Sequence, residues 1–151
     1  MKVVITSFIL FFSIISYSQI DLDTNFSMEI RHIKLKKTTF GGGGLIVRTG
    51  GYRFLIIDAV IFSKSDEREK FQANKMILKI GSKDAMASLS SGVQPLNDEE
   101  RYVKFRNKLK TYIYFDVKDS FTKGELFYDN KKIGYIMVPP GSKKGSFKRE
   151  L

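Results

Sequence analysis

The sequence predicts an all-β chain, folded as an immunoglobulin-like antiparallel sandwich of about seven to nine strands behind an N-terminal signal peptide. Three observations carry this. Apolar residues recur at every second position, the pattern of strands with one buried face. The alternating stretches are short and are separated by clusters of Gly, Asn, Asp, Ser and Lys of turn composition. Helix is sparse, with Asp66 to Asn74 and Asn97 to Val103 each offering room for a turn or two.

Residues 1–18 read Met1-Lys2, an apolar stretch from Val3 to Ile15 broken only by Thr6, Ser7 and Ser13, and then Ser16-Tyr17-Ser18. A basic start, an apolar middle and small residues at −3 and −1 before Gln19 are the parts of a cleavable signal peptide. The stretch falls short of the roughly 20 apolar residues of a transmembrane helix, so no stable membrane span is expected after cleavage. The protein is therefore expected to be exported, to the periplasm or beyond the cell. Residues 19–138 would form the sandwich.

Phe26 to Lys36 begins with Phe26, Met28 and Ile30 in phase and then shifts to Ile33 and Leu35. The change of parity predicts a β-bulge near Arg31 and His32. A short strand follows at Leu45 to Arg48. Arg53 to Phe62 is rich in β-branched and aromatic residues and apolar on both faces apart from Arg53 and Asp58, which predicts a central strand. Lys75 to Ile80 sets Met76, Leu78 and Ile80 against Lys75 and Lys79. Thr111 to Val117 sets Ile113, Phe115 and Val117 against an outer face of Tyr112, Tyr114 and Asp116. Further strands are expected at Tyr102 to Phe105, Glu125 to Tyr128 and Ile133 to Val138. Residues 139–151 lack a periodic apolar pattern and read as a mobile basic extension.

Composition narrows the chemistry. The 151 residues carry a net charge of +10, no Cys, no Trp and a single His. Without cysteine there is no disulfide, thiol nucleophile, Cys-ligated zinc or iron–sulfur cluster. One histidine excludes a multi-histidine metal centre. With 42% hydrophobic and 28% charged residues the chain has the make-up of a folded domain.

Individual motifs point mostly to structure. Gly41-Gly42-Gly43-Gly44 leads into a strand, whereas a phosphate-binding loop feeds a helix N-terminus, so it reads as a flexible connector. Asp58 in its apolar strand is a candidate general acid, with pairing to a Lys or Arg as the structural alternative. His32 at the bulge is a candidate base, against a strand histidine making one hydrogen bond. Asp98-Glu99-Glu100 is contiguous, without the alternating ligand spacing of a calcium loop. No catalytic residue, metal ligand or cofactor is assigned.

The remaining feature is a basic-aromatic stretch. Arg101, Lys104, Arg106, Lys108 and Lys110 are interleaved with Tyr102 and Phe105, and Tyr112 and Tyr114 continue the pattern. Cations beside aromatic faces are the composition used on phosphates, sulfated glycans and stacked rings. Arg101, Tyr102, Lys104, Arg106, Lys108, Lys110, Tyr112 and Tyr114 are therefore the candidate ligand-binding residues, with a solvated loop and strand face as the alternative.

Gly51-Tyr52-Arg53-Phe54, the run Leu55-Ile56-Ile57, Asp58 and the alternation to Ser63 resemble a segment of small secreted bacterial immunoglobulin-like sandwiches. Phe115-Asp116-Val117 followed by Gly124-Glu125-Leu126-Phe127-Tyr128 resembles their penultimate strand, loop and closing Leu-x-Tyr strand. The resemblance spans roughly residues 45–128 and is to a family of unknown function whose best-known relatives are secreted immunoprotective antigens. Ser63 stands where that family usually has Asn, and Lys118 where Pro is common. The resemblance implies a secreted non-enzymatic sandwich with no catalytic residues to carry over.

The expected function is a secreted or periplasmic binding module for an extracytoplasmic protein or envelope component. The alternative is binding of acidic polymers through residues 101–114. An enzyme would need a site assembled by the fold around Asp58 or His32.

Overall fold

The computed structural model describes residues 19–41, 44–90, 100–103 and 108–150. The expected signal peptide, residues 1–18, lies outside them. The protein is an all-β sandwich. Its spine is β5 (Tyr52–Ser63), which is buried on both faces, as its doubly apolar sequence requires. Leu55, Ile57, Ala59 and Ile61 point into the main core, while Phe54 and Ile56 point outward into a second, smaller cluster.

β2 (Phe26–Lys36) and β11 (Lys108–Lys118) flank β5, both antiparallel to it. The register of β2 shifts between Ile30 and His32, which places the expected bulge at Arg31. β1 (Ile20–Asp21) pairs with the start of β2, and β9 (Ser88–Ser90) with the middle of β11. The opposing sheet runs β8 (Lys83–Met86), β7 (Met76–Ile80), β12 (Lys123–Tyr128), β13 (Lys131–Met137). Asp129 and Asn130 join β12 to β13 with φ of 48° and 64°. Two successive positive φ values make the hairpin turn whose twist matches the flanking strands, and Asp and Asn tolerate them.

Between the sheets lies an apolar core. Phe71 stacks on Tyr128 at 5.6 Å and meets Phe26 edge-on at 5.5 Å, so one aromatic chain ties both sheets together at one end. Phe71 comes from β6 (Glu69–Gln72), which pairs with β10 (Glu100–Val103) and leads through a 3₁₀ turn, Ala73–Lys75, into β7. The helical turn expected over Asp66 to Asn74 is thus strand followed by one tight turn, because Phe71 and Ala73 reach the core at strand spacing. The turn expected over Asn97 to Val103 is strand at Glu100–Val103, and residues 97–99 lie outside the described residues.

The two sheets are stitched together at both edges. At one, the chain leaves β8 at Met86, paired with Ile77, and enters β9 at Ser88, paired with Tyr114. Between them the Ala87 N–H donates to the Met76 carbonyl at 3.2 Å. At the other edge runs β14 (Lys144–Arg149), a correction to the mobile tail expected over residues 139–151. Lys144 and Gly145 pair with Lys34 and Ile33 of the first sheet, and Ser146 to Arg149 pair with Met137 to Gly134 of the second. Apart from Phe147, which packs on the core, β14 is held by its main chain, and such a strand leaves no apolar period in the sequence.

Gly41 and Gly44 close a hairpin of β3 (Thr38–Gly41) and β4 (Gly44–Val47), and Gly42 and Gly43 lie outside the described residues. The hairpin covers part of the outer face of β5 and β11. Ile46 packs on Phe54, Ile56 and Tyr114, and Thr39 Oγ1 lies 3.3 Å from the Tyr114 hydroxyl.

Candidate binding groove

A concavity of about 750 Å³ opens where the chain crosses from β8 to β9, past the point where β9 stops pairing with the outer edge of β11. Its size suits a small molecule or a peptide segment. Phe54, Tyr114 and Val117 of the first sheet and Phe121 of the β11–β12 connection give it an apolar floor. Met86, 65% exposed, stands at its wall. A flexible thioether at the edge of a concavity offers adaptable apolar contact.

Charge is arranged around that floor rather than on it. Arg48, just past β4, donates from Nε and a terminal nitrogen to both oxygens of Asp116, each at 2.7 Å. Its guanidinium also lies 4.5 Å above the Phe54 ring. A bidentate pair seated on an aromatic face fixes the geometry of both residues. Lys83, Lys118 and Lys123 complete a cationic rim, with Asp84 the one further carboxylate among the described residues that line it, and Lys123 leans on the Tyr135 ring at 4.6 Å. Ser88, Ser120 and Thr122 add hydroxyls. An apolar ligand body carrying a negative group fits this pattern. Among the described residues, no group of three or more His, Cys, Asp or Glu stands close enough to share a metal ion.

The structure divides the basic-aromatic stretch. Arg101 and Tyr102 lie on β10, in register with Phe71 and Lys70 of β6. Lys104 and Arg106 lie outside the described residues. Lys108, Lys110 and Tyr112 share the outer face of β11; both lysines are exposed, and Tyr112 is 39% exposed. Lys108 Nζ lies 5.4 Å from the Phe62 ring centre. Tyr114 has the expected outward parity but is only 5% exposed, because the β3–β4 hairpin covers it. It therefore leaves the open binding face and joins the groove floor.

The two candidate acid–base residues come together. His32 of β2 and Tyr112 of β11 both stand directly opposite Asp58 of β5, so the three form one row on the outer face. No hydrogen bond or ion pair joins them among the described residues. The Lys or Arg partner expected for Asp58 is likewise not formed there. Arg48, Asp116 and Met86 carried no signal that sets them apart in sequence, since the groove is made by the strand crossing and by the hairpin.

The fold is similar to that of an uncharacterized beta-sandwich protein from Clostridium difficile. The match has a TM-score of 0.51 at 9% identity and covers 88% of this chain and 91% of that one. Likeness at that identity establishes the sandwich architecture alone. No protein-family model matches the sequence, and no curated protein matches it significantly.

Proposed function

We propose that this chain is an exported, non-enzymatic binding module of the secreted immunoglobulin-like kind, and that it seats its ligand in the groove beside the β8–β9 crossing. The observation that carries this reading is the apolar floor of Phe54, Tyr114 and Val117 under the fixed Arg48–Asp116 clamp, with Met86 presented to solvent. Binding sites combine an apolar body with a few oriented polar groups in this way. The export reading rests on residues 1–18. No helix among the described residues is long and apolar enough to cross a membrane.

Affinity capture from native envelope and culture-supernatant extracts tests the proposal, with the parent protein and the Met86→Arg variant as paired baits. A component retained by the parent at high salt and lost from the variant is the expected result. Identical capture profiles would remove the groove as the ligand seat.

A second reading, binding of acidic polymers, is favoured by one observation: Lys108, Lys110 and Tyr112 share an open face at two-residue spacing. A sulfated-polymer titration across salt concentrations separates the two readings. Neutralising several anionic groups releases counterions and gives steep salt dependence. Removal of Lys108 and Lys110 should flatten that dependence, and an unchanged slope argues against this face.

A further inference from the structure

Between the β1 and β14 pairings on β2 lies a notch of about 420 Å³, separate from the groove and on the other edge of the first sheet. On that edge β1 pairs with Ser27 and Met28 and β14 with Ile33 and Lys34, so residues 29–32, bulge included, have no strand beside them. Arg31, His32 and Lys34 of β2 and Lys144 and Arg149 of β14 line the notch, against one carboxylate, Glu29. Arg31, Lys34, Lys144 and Arg149 are exposed, and none makes an ion pair among the described residues. The nearby Asp21 is held chiefly by Lys64 at 2.8 Å, and Arg149 adds a weaker attraction to it.

The register makes this more than a surface field. Lys34 and Lys144 stand directly opposite each other in the short ladder that joins β14 to β2. Like charges at directly opposed positions repel and weaken a strand pair. This chain places such a pair at the seam between its two sheets. A bound anion would reverse the sign of that interaction, and the guanidiniums of Arg31 and Arg149 have the planar donor geometry that suits tetrahedral oxyanions.

We propose that the notch binds a tetrahedral oxyanion, a phosphate or sulfate group, between Lys34 and Lys144 with Arg31 and Arg149 at its sides. Such a group comes free as the inorganic ion or as an ester on a saccharide, and the notch, open on its outer side, admits both. Binding also tightens the β14–β2 seam, because the ligand bridges the two strands.

The test is titration of the protein by amide NMR at constant ionic strength, with inorganic sulfate in one arm and a sulfated disaccharide in the other. Sulfate stabilises proteins generally by exclusion from their surfaces, so the readout is a saturable shift of the Ile33 and Gly145 amides rather than a melting temperature. Saturation by either probe supports the site, and the tighter arm identifies the source of the anion. Lys34→Gln with Lys144→Gln should weaken binding about tenfold or more, as loss of charge-assisted hydrogen bonds implies. Without anion the same variant should melt higher than the parent, since its opposed charges are gone. Arg31→Gln, on an exposed bulge residue, should weaken binding with little effect on the fold. Lys79→Gln, on β7 of the opposing sheet, should leave binding unchanged. Shifts that never saturate, or an equal loss in the Lys79 variant, would overturn the proposal.

Discussion

Tyr128 is 1% exposed and stacked on Phe71, and burial holds its phenol well above the usual tyrosine range. Its folded pKa lies above its unfolded value near 10, so its contribution is complete below pH 10 and is lost as pH rises beyond that. Tyr128→Phe should therefore melt close to the parent at pH 7 and show a shallower loss of stability above pH 10, read from melts across alkaline pH. Tyr114 gives a second case at this scale. Its parity was legible in sequence, and so was that of Phe115; the cover over Tyr114 was not, because it comes from a hairpin whose glycines announce a turn but not where the turn lands. Phe115→Asp and Tyr114→Asp should both cost several kcal/mol, since each buries an unpaired carboxylate. Equal, large drops in melting temperature are expected, in place of the milder effect that a solvent-facing tyrosine would give. His32 and Asp58 were each visible as candidates, but His32 falls opposite Asp58 through the β2 bulge, which sets that register.

Among the elements, β14 departs most from what its composition suggests. Gly134 faces it so closely that a Cβ there would lie 2.4 Å from the Lys148 carbonyl oxygen and 2.5 Å from the Phe147 ring. Gly145 is confined in the same way, 2.9 Å from the Met137 carbonyl oxygen. Backbone cannot yield as a flexible side chain can, so Gly134→Ala should destabilise by about 1–3 kcal/mol, as overpacking does. Removal of everything after Val138 should cost more, because it uncovers the backbone edges of β13 and β2 together. Denaturant titration of both variants checks the order. The strands with a buried apolar face, β5, β7, β11, β12 and β13, were legible because burial writes alternation into sequence. β6 and β14 were not, and β10 only in part, its Tyr102 and Val103 falling in the strand expected from Tyr102 to Phe105, because short ribbons and main-chain-held strands carry too few apolar residues to write it.

At the scale of the whole molecule, the chain carries 26 Lys and Arg against 16 Asp and Glu. Many of its carboxylates are already engaged, as in the Arg53–Asp119 contact at 2.6 Å and the two contacts of Lys132 with Glu125 and Glu150 at 2.9 and 3.2 Å. The surplus cations repel one another, and salt screens that repulsion over about 10 Å at 0.1 M. The melting temperature should therefore rise between low and physiological ionic strength in sodium chloride, and a fall would mean that the exposed ion pairs outweigh the surplus charge. The sandwich class was legible from alternation and turn spacing. How its two sheets are linked at each edge was not, since each crossing is written in a handful of residues with no composition of their own. Each link is short. Amide exchange should then begin at the narrowest links, Ser88–Ser90 against β11 and Lys144–Gly145 against β2. The groove borders the first link and the cationic notch the second, so a ligand in either would act as a latch and slow the breathing of the two sheets against each other.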